Sequence, residues 1–243
     1  MFTPDEVSTF KQELERLRTD PKIQQSGEVI TEQNSNDLRS ISRVHENSPS
    51  FKALAADERL AGLARYLLDD KVYIHQSRVN YKPGFRGKDF YWHSDFETWH
   101  VEDRMPRMRA LSMSITLTEN FDNNGPLMLI PGSHKQYVVC EGETPENHHL
   151  ASLKKQEHGV PSDACLKMLL AKGGIVSATG KPGSVIVFDC NLMHGSNSNI
   201  TPFPRSNVFF VYNALSNKVV DQFCSQALRP EHICTRKNIY PIL

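Results

Sequence analysis

From Lys71 onward the chain carries short β-type runs with no helical stretch between them, and this order restricts its fold more than any other feature. Val72 to Tyr81, Arg109 to Thr118, Leu127 to Ile130, Ser184 to Asp189 and Asn207 to Asn213 read as strands, separated by Gly-Pro, Pro-Gly and Asn-Asn steps. A parallel α/β sheet needs a helix between successive strands, so the pattern predicts an antiparallel sandwich or barrel, mainly β, with helices packed outside. Those helices come first. Thr3 can cap the opening one, Pro4 suits its first position and Glu6 completes a capping box, with Val7, Phe10, Leu14 and Leu17 on one face. A second helical region carries Leu60, Leu63, Leu67 and Leu68, with Asp57 as its cap. Residues 20–50 are polar and weakly patterned, and predict no regular element.

A length of 243 residues suits one domain spanning 1–243. Residues 140–180 interrupt the β region as a polar insertion with one helix, Asp163 to Lys172, capped by Ser162 and stopped by Gly173. Such an insertion serves as a lid or binding loop, or is surface decoration. Lys plus Arg (28) balances Asp plus Glu (28), which argues against nucleic acid or a membrane surface as partner. The sequence has no apolar run of spanning length and no charged-then-apolar leader, so a cytoplasmic protein is expected. Cys140, Cys165, Cys190, Cys224 and Cys234 are odd in number, widely spaced and free of any C-x-x-C pair, which reads as thiols in a reducing compartment. Monomer and homodimer both stay open.

The string W-H-S-D-F-E-T-W-H (92–100) holds the central chemical signal. His93 and Asp95 are two apart, so on an extended segment both side chains point the same way. His194, in M-H-G-S just after the apolar run Ser184–Cys190, is the best third ligand, with Gly195 allowing a tight turn behind it. Two histidines and one carboxylate on one face of an octahedral ion leave three positions open, the arrangement of non-haem Fe(II) oxygenases. Arg205, eleven residues beyond His194, offers a fork that would pair with a cosubstrate carboxylate. His45, His75, His100, His134, His148, His149, His158 and His232 read as structural or solvated groups.

Strand parity supports a site nearby. Gln76, Arg78 and Asn80 share one face of the first strand, and Tyr73, His75, Val79 and Tyr81 the other, which could pack on the helices. Arg205, Asn207, Phe209 and Val211 share a parity in the last strand, and Ser114 is the polar member of a strand whose other face is Leu111, Met113, Ile115 and Leu117.

F-Y-W-H-S-D-F-E-T-W-H-V-E-D followed by M-P-R-M-R-A-L-S resembles the signature of ectoine hydroxylases, in the phytanoyl-CoA-dioxygenase-like branch of the 2-oxoglutarate- and Fe(II)-dependent dioxygenases. G-P-L-M-L-I-P-G-S-H (125–134) and N-L-M-H-G-S-N-S-N (191–199) are similar to that branch as well, and the likeness runs from about Val72 to Asn213. The resemblance implies a double-stranded β-helix (jelly-roll, cupin-like) core with flanking N-terminal helices. It implies His93, Asp95 and His194 as Fe(II) ligands, and a 2-oxoglutarate site of Arg205 with Asn80, Ser114 and Ser196. It further implies a substrate site of Gln76, Arg78, Trp99, Phe188, Asn207 and Phe209. Fe(II), 2-oxoglutarate and O2 would then convert ectoine to 5-hydroxyectoine with release of succinate and CO2. Ectoine carries a delocalised cation and a carboxylate, which suits aromatic faces beside polar donors. Trp99, in a very polar stretch, is expected outside the core. The carboxylate of Asp95 argues against a halogenase.

Two departures accompany the resemblance. The chain opens inside the family pattern, whose members usually carry a further N-terminal section with a strand: either it is a short member or it is a piece of a longer chain, in which part of a pocket wall is missing. Arg104 stands where the pattern has glycine, at a turn where positive φ would strain a non-glycine residue. The alternatives are a related dioxygenase acting on another small amino-acid-like substrate, a metal-dependent cupin-like isomerase or binding protein, and a zinc hydrolase using the same ligands.

Overall fold

The computed structural model describes residues 1–32, 37–140, 160–220 and 228–242. Helix α1 (Pro4–Thr19) begins as expected: Thr3 caps it in a reciprocal capping box with Glu6, and Val7, Phe10, Leu14 and Leu17 are its buried face. A short helix α2 (Pro21–Gln24) follows, then strands β1 (Val29–Thr31) and β2 (Leu38–Ser42), and helices α3 (Val44–Asn47), α4 (Pro49–Ala55) and α5 (Ala61–Leu68). The β region comprises β3 (Val72–Lys82), β4 (Phe90–His93), helix α6 (Asp95–Val101), β5 (Ala110–Thr116), β6 (Leu127–Leu129), helix α7 (Asp163–Gly173), β7 (Val176–Ala178), β8 (Val185–Asp189), β9 (His194–Ser196) and β10 (Arg205–Ala214).

The strands form two antiparallel sheets, a six-stranded one in the order β1-β2-β3-β10-β5-β8 and a four-stranded one in the order β4-β9-β6-β7. They make up the jelly-roll expected from the strand pattern. One face of the large sheet (Val79, Met113, Ile115, Val208, Phe210, Tyr212) packs on Phe10, Leu14, Leu17, Phe51, Leu54 and Ala64 of the helices. On the other face Phe188 and Phe209 meet Leu127, Ala178 and Leu192 of the small sheet side. Phe210 is wholly buried at the centre of the larger core. Phe210→Ala is expected to cost about 3–5 kcal/mol, read as a lower urea midpoint at unchanged slope.

Several expectations need correction. Residues 20–50 do hold regular structure: β2 is buried along its whole length because it lies between β1 and β3 inside the sheet. Its polar members Arg39, Ser40 and Ser42 hid it from a search for apolar alternation. Asp57 does not cap α5, whose N-cap is Leu60; its carboxylate accepts from the Arg59 amide in the preceding turn, 2.9 Å away. Leu67 is exposed, so only part of the leucine stripe faces the core. In β3 a bulge interrupts the period of two: Gln76 pairs with Val211 and Ile74 with Tyr212, leaving His75 extra. Ile74, Val79 and Tyr81 therefore face the helices, while His75 turns towards Trp99.

Arg104 adopts φ 65°, the strained turn anticipated where the pattern has glycine. Helix α7 has Ser162 as its cap, as expected, and ends at Gly174 with φ 63°. Of the insertion at 140–180, residues 141–159 lie outside the described residues, and with them His148, His149 and His158; Cys224 lies outside them too. Cys140, Cys165, Cys190 and Cys234 are free thiols. Among the described residues no helix is long and apolar enough to cross a membrane.

Candidate active site

The register of the small sheet delivers two histidines to one point. His93 closes β4 and His194 opens β9, and the two are direct cross-strand partners with ring centroids 4.3 Å apart. Asp95 arrives differently from the sequence expectation. The chain is not extended through it: the strand ends at His93, and Asp95 is the first residue of α6, where an acidic group suits the helix dipole. The turn between them is pinned to the segment ahead of His194. The Ser94 hydroxyl donates to Asn191 Oδ1 at 3.0 Å, and the Phe96 amide donates to the Cys190 carbonyl at 2.8 Å.

Each imidazole is oriented by its own backbone. His93 Nδ1 lies 2.7 Å from the Tyr91 carbonyl and His194 Nδ1 lies 2.9 Å from the Leu192 carbonyl. A carbonyl only accepts, so both Nδ1 atoms carry a proton, and both Nε2 atoms are left to face the third ligand. These Nε2 atoms face the two oxygens of Asp95, at 3.9 Å from Oδ1 for His93 and 3.9 Å from Oδ2 for His194. Such separations are too long for hydrogen bonds and short enough for one cation to be shared. The Ser112 hydroxyl, 3.3 Å from Asp95 Oδ2, holds the carboxylate in place. Burial, together with neighbouring His194, pushes His93 down to about 4, so it is neutral and ready to ligate. Burial alone would raise Asp95, but His194, Arg78, His93 and the Ser112 hydroxyl keep it below the usual carboxylate range.

The same wall carries buried cations. Arg205 is 5% exposed, and its Nε and Nη1 have no hydrogen-bond partner among the described residues. Burial and the proximity of Arg39 lower it to about 10. Its register partner on β3 is Lys82, also buried, which donates to Ser196 Oγ at 2.8 Å and to the Asn197 carbonyl. Burial, then Arg205 and Arg39, push Lys82 down to about 6. Lys82 was absent from the sequence candidates although it continues the Gln76, Arg78, Asn80 parity; Ser112 likewise shares parity with Ser114. The buried Arg39 sits on β2, pairs with Glu32 at 3.3 Å and stacks on the Phe90 ring 3.8 Å away. Of the expected helpers, Ser114 accepts from Asn207 Nδ2 at 2.9 Å, Asn80 accepts from Ser40 at 3.3 Å, and Ser196 is the Lys82 partner.

Around the triad, Phe188 lies 5.1 Å from the His194 ring, and Arg78 sits 5.5 Å above the Phe209 ring while donating to Gln76 Oε1 at 3.3 Å. Trp99 corrects its expectation. It is buried among Phe96, Met105, Ala110, Cys190 and Val211, so it is core despite its polar neighbours in sequence. His100 holds the Met105 carbonyl at 2.7 Å and stacks on Phe96, and His45 bonds Ser77 Oγ at 2.5 Å, both structural roles. His75 does have ligand-type neighbours, Asp103 and Cys234, brought together from distant parts of the chain.

Two inward-facing Nε2 atoms and a carboxylate, with ligand atoms all within 4.8 Å of one another, fit a ferrous ion, with His93, Asp95 and His194 as its holders. The guanidinium of Arg205, with Nε and Nη1 unsatisfied among the described residues and Lys82 as its register partner, fits one end of a dicarboxylate.

Comparison with known proteins agrees with this geometry. The phytanoyl-CoA dioxygenase (PhyH) family model matches residues 1–207. The ectoine dioxygenase of Sphingopyxis alaskensis is 58% identical over 236 residues, covering 97% of this chain and 77% of that protein. The crystal structure of EctD from S. alaskensis with 2-oxoglutarate and 5-hydroxyectoine superposes with a TM-score of 0.87 at 53% identity, covering 97% of this chain and 77% of that one. The structure of the same protein with bound Fe gives a TM-score of 0.83 at 49% identity, covering 100% of this chain and 82% of that one. With the facial histidine and aspartate group in place, these matches show that the chain belongs to the phytanoyl-CoA dioxygenase family, among its ectoine dioxygenases.

Proposed function

We propose that this protein hydroxylates ectoine to 5-hydroxyectoine, consuming 2-oxoglutarate and O2 and releasing succinate and CO2. The observation that carries the reading is a metal-type triad together with a buried arginine whose Nε and Nη1 have no hydrogen-bond partner among the described residues. A zinc hydrolase or a cupin-like isomerase has use for the first and none for the second. The names of the relatives, and the product and cosubstrate present in the S. alaskensis structure, support ectoine and 2-oxoglutarate as the ligands.

Bound at His93, Asp95 and His194, Fe(II) would supply the oxygen chemistry. The chain's own residues prepare for it. The backbone carbonyls of Tyr91 and Leu192 keep both imidazoles turned with Nε2 inward. Arg205, with Lys82 near it, attracts and orients the distal carboxylate of 2-oxoglutarate, and Asn207, Ser114, Asn80 and Ser196 line the way to it. Gln76 and Arg78 offer donors to a substrate carboxylate, and the rings of Phe188 and Phe209 offer faces to the cationic ring of ectoine. Trp99 contributes from the packed layer behind. A cytoplasmic location, supported by the free thiols, completes the reading.

Mass spectrometry after incubation with Fe(II), 2-oxoglutarate, O2 and ectoine should show a product heavier by one oxygen, with succinate formed in equal amount. No ectoine-dependent succinate would reject this substrate, and turnover with another member of an amino-acid-like panel would favour a related dioxygenase. Activity without O2 or reductant would favour the hydrolase.

Lys82 gives a further prediction. Its folded value of about 6 lies far below that of a free lysine, so ligand-free protein at pH 7.5 holds it mostly neutral. A carboxylate arriving beside it restores the charged form, so 2-oxoglutarate binding should take up roughly one proton. Titration calorimetry in two buffers of different ionisation enthalpy should show that uptake, and Lys82→Met should remove it. Buffer-independent heats in the wild type would contradict it. The sign for stability follows: between pH 6 and the unfolded lysine value the unfolded chain binds more protons, so this group makes the ligand-free fold more stable as pH rises.

A further inference from the structure

Behind the substrate wall lies a wholly buried group of His75, Asp103 and Cys234, with ligand-type atoms within 4.8 Å of one another. It is not built as a metal site. Arg229 already occupies the carboxylate with two prongs, Nε to Oδ1 at 2.8 Å and Nη2 to Oδ2, and burial together with Asp103 holds the Cys234 thiol far above its ordinary range, hence protonated.

The group is a junction of three parts of the chain. Asp103 follows the helix that opens with the ligand Asp95, and its amide donates to the Trp99 carbonyl at 3.1 Å. His75 is the bulge residue of β3, one position before the candidate substrate residue Gln76; its Nε2 lies 3.3 Å from Asp103 Oδ2 and its ring meets Trp99 at 5.2 Å. Arg229 belongs to the segment 228–242, which continues along β3: the Thr235 amide donates to the His75 carbonyl at 2.9 Å, and Ile242 donates to Val72 at 2.9 Å. The bulge supplies that free carbonyl, and β2 reaches only Arg78 to Asn80, so this stretch of β3 is left to the C-terminal segment. Burial alone would raise Asp103, yet Arg229 and His75 hold it down to about 2, so the junction is ionic at all working pH values.

We propose that Asp103 is a positioning residue for substrate: through Arg229 it fastens the 228–242 segment to the metal-bearing helix and thereby keeps the Gln76–Arg78 wall in its binding geometry. It touches neither the iron ligands nor the cationic end around Arg205. Its loss therefore acts on substrate alone. This role rests on the hydroxylase reading above, and the test separates the two.

The experiment uses the full chain as Asp103→Asn, with Asp103→Glu as the conservative counterpart and Thr235→Pro as a variant that detaches the segment without unpairing a buried charge. Amide hydrogen exchange in metal-free protein should show wild-type protection at 234–236 and 242, lost in Asp103→Asn and partly restored in Asp103→Glu; in Thr235→Pro, which has no amide at 235, it should be lost at 234, 236 and 242. The KM for ectoine should rise about tenfold or more in the two detached variants, with iron per chain and the KM for 2-oxoglutarate unchanged. Retained protection in both detached variants overturns the proposal. So does a rise in both KM values together, which marks general damage. If Asp103→Asn fails to fold, Thr235→Pro decides by the same two readouts. Absence of ectoine turnover in the wild type would instead reject the substrate, and the exchange pattern would then decide the role of Asp103 alone.

Discussion

Asp95→Ala is expected to abolish iron retention and hydroxylation while leaving the fold intact. The two histidines that remain carry no negative charge, so the triad loses its one anionic member and one of its three holders. Loss of an outer residue that merely orients a ligand typically costs 10–100-fold in metal affinity, so loss of a ligand itself should exceed about 100-fold. His194, Arg78 and His93 outweigh burial and favour the ionised carboxylate, so its loss costs the metal-free fold some stability at neutral pH, while the packed core stays in place. The broken contact is the Ser112 hydrogen bond, worth about 1 kcal/mol. Elemental analysis of desalted protein and a thermal melt report the two halves of this prediction. Hydroxylation that persists in the variant would count against the assignment.

Arg205→Ala should act on the cosubstrate alone. Removing one partner of a buried charge pair costs about 2–5 kcal/mol, so the KM for 2-oxoglutarate should rise by about 100-fold or more, with iron binding unchanged. Ligand-free stability should not fall by a comparable amount, since Nε and Nη1 of Arg205 are buried without hydrogen-bond partners among the described residues. Arg205→Lys should recover little, because a point charge cannot reproduce the two-pronged contact. A steady-state titration of 2-oxoglutarate against each variant reads the effect. Unchanged affinity in Arg205→Ala would return the cupin-like binder to consideration.

Much of this was legible in the residues, and the failures have physical causes. Strands β3, β5, β8 and β10 were visible because each carries a run of β-branched, aromatic or other apolar residues bounded by turn signals. Strands β4 and β9 were not. Each spans three or four residues and carries His93 or His194, so function has replaced the apolar pattern that marks a strand. β2 escaped for a related reason: it is buried on both faces yet carries Arg39, Ser40 and Ser42, whose burial is compensated by partners far away in sequence. The triad was identified from residue type and spacing, but the reason offered for it was wrong in part. An extended H-x-D predicts two side chains on one strand face, whereas the chain uses a strand end and a helix start. Local pattern cannot reveal that the Ser94–Asn191 and Phe96–Cys190 bonds fold the turn against the other ligand.

The bulge at His75 shows the same limit. One extra residue reverses the parity of everything before it, and nothing in V-Y-I-H-Q-S-R marks where it falls. It is visible only against β10, where Gln76 and Ile74 face consecutive residues. Trp99 was misjudged because polar neighbours along a helix say little about its inward face: Trp99 and Phe96 share a buried side of α6 that meets Val211. Lys82, by contrast, was available to the parity argument and was overlooked because a lysine is so seldom buried.

The most direct test is a crystal grown without oxygen, soaked with Fe(II) and measured across the iron absorption edge. A single anomalous peak lying between His93 Nε2, His194 Nε2 and the Asp95 carboxylate, with the opposite side open towards Arg205, is the expected result. No peak there, with the three side chains turned away from one another, would contradict the account.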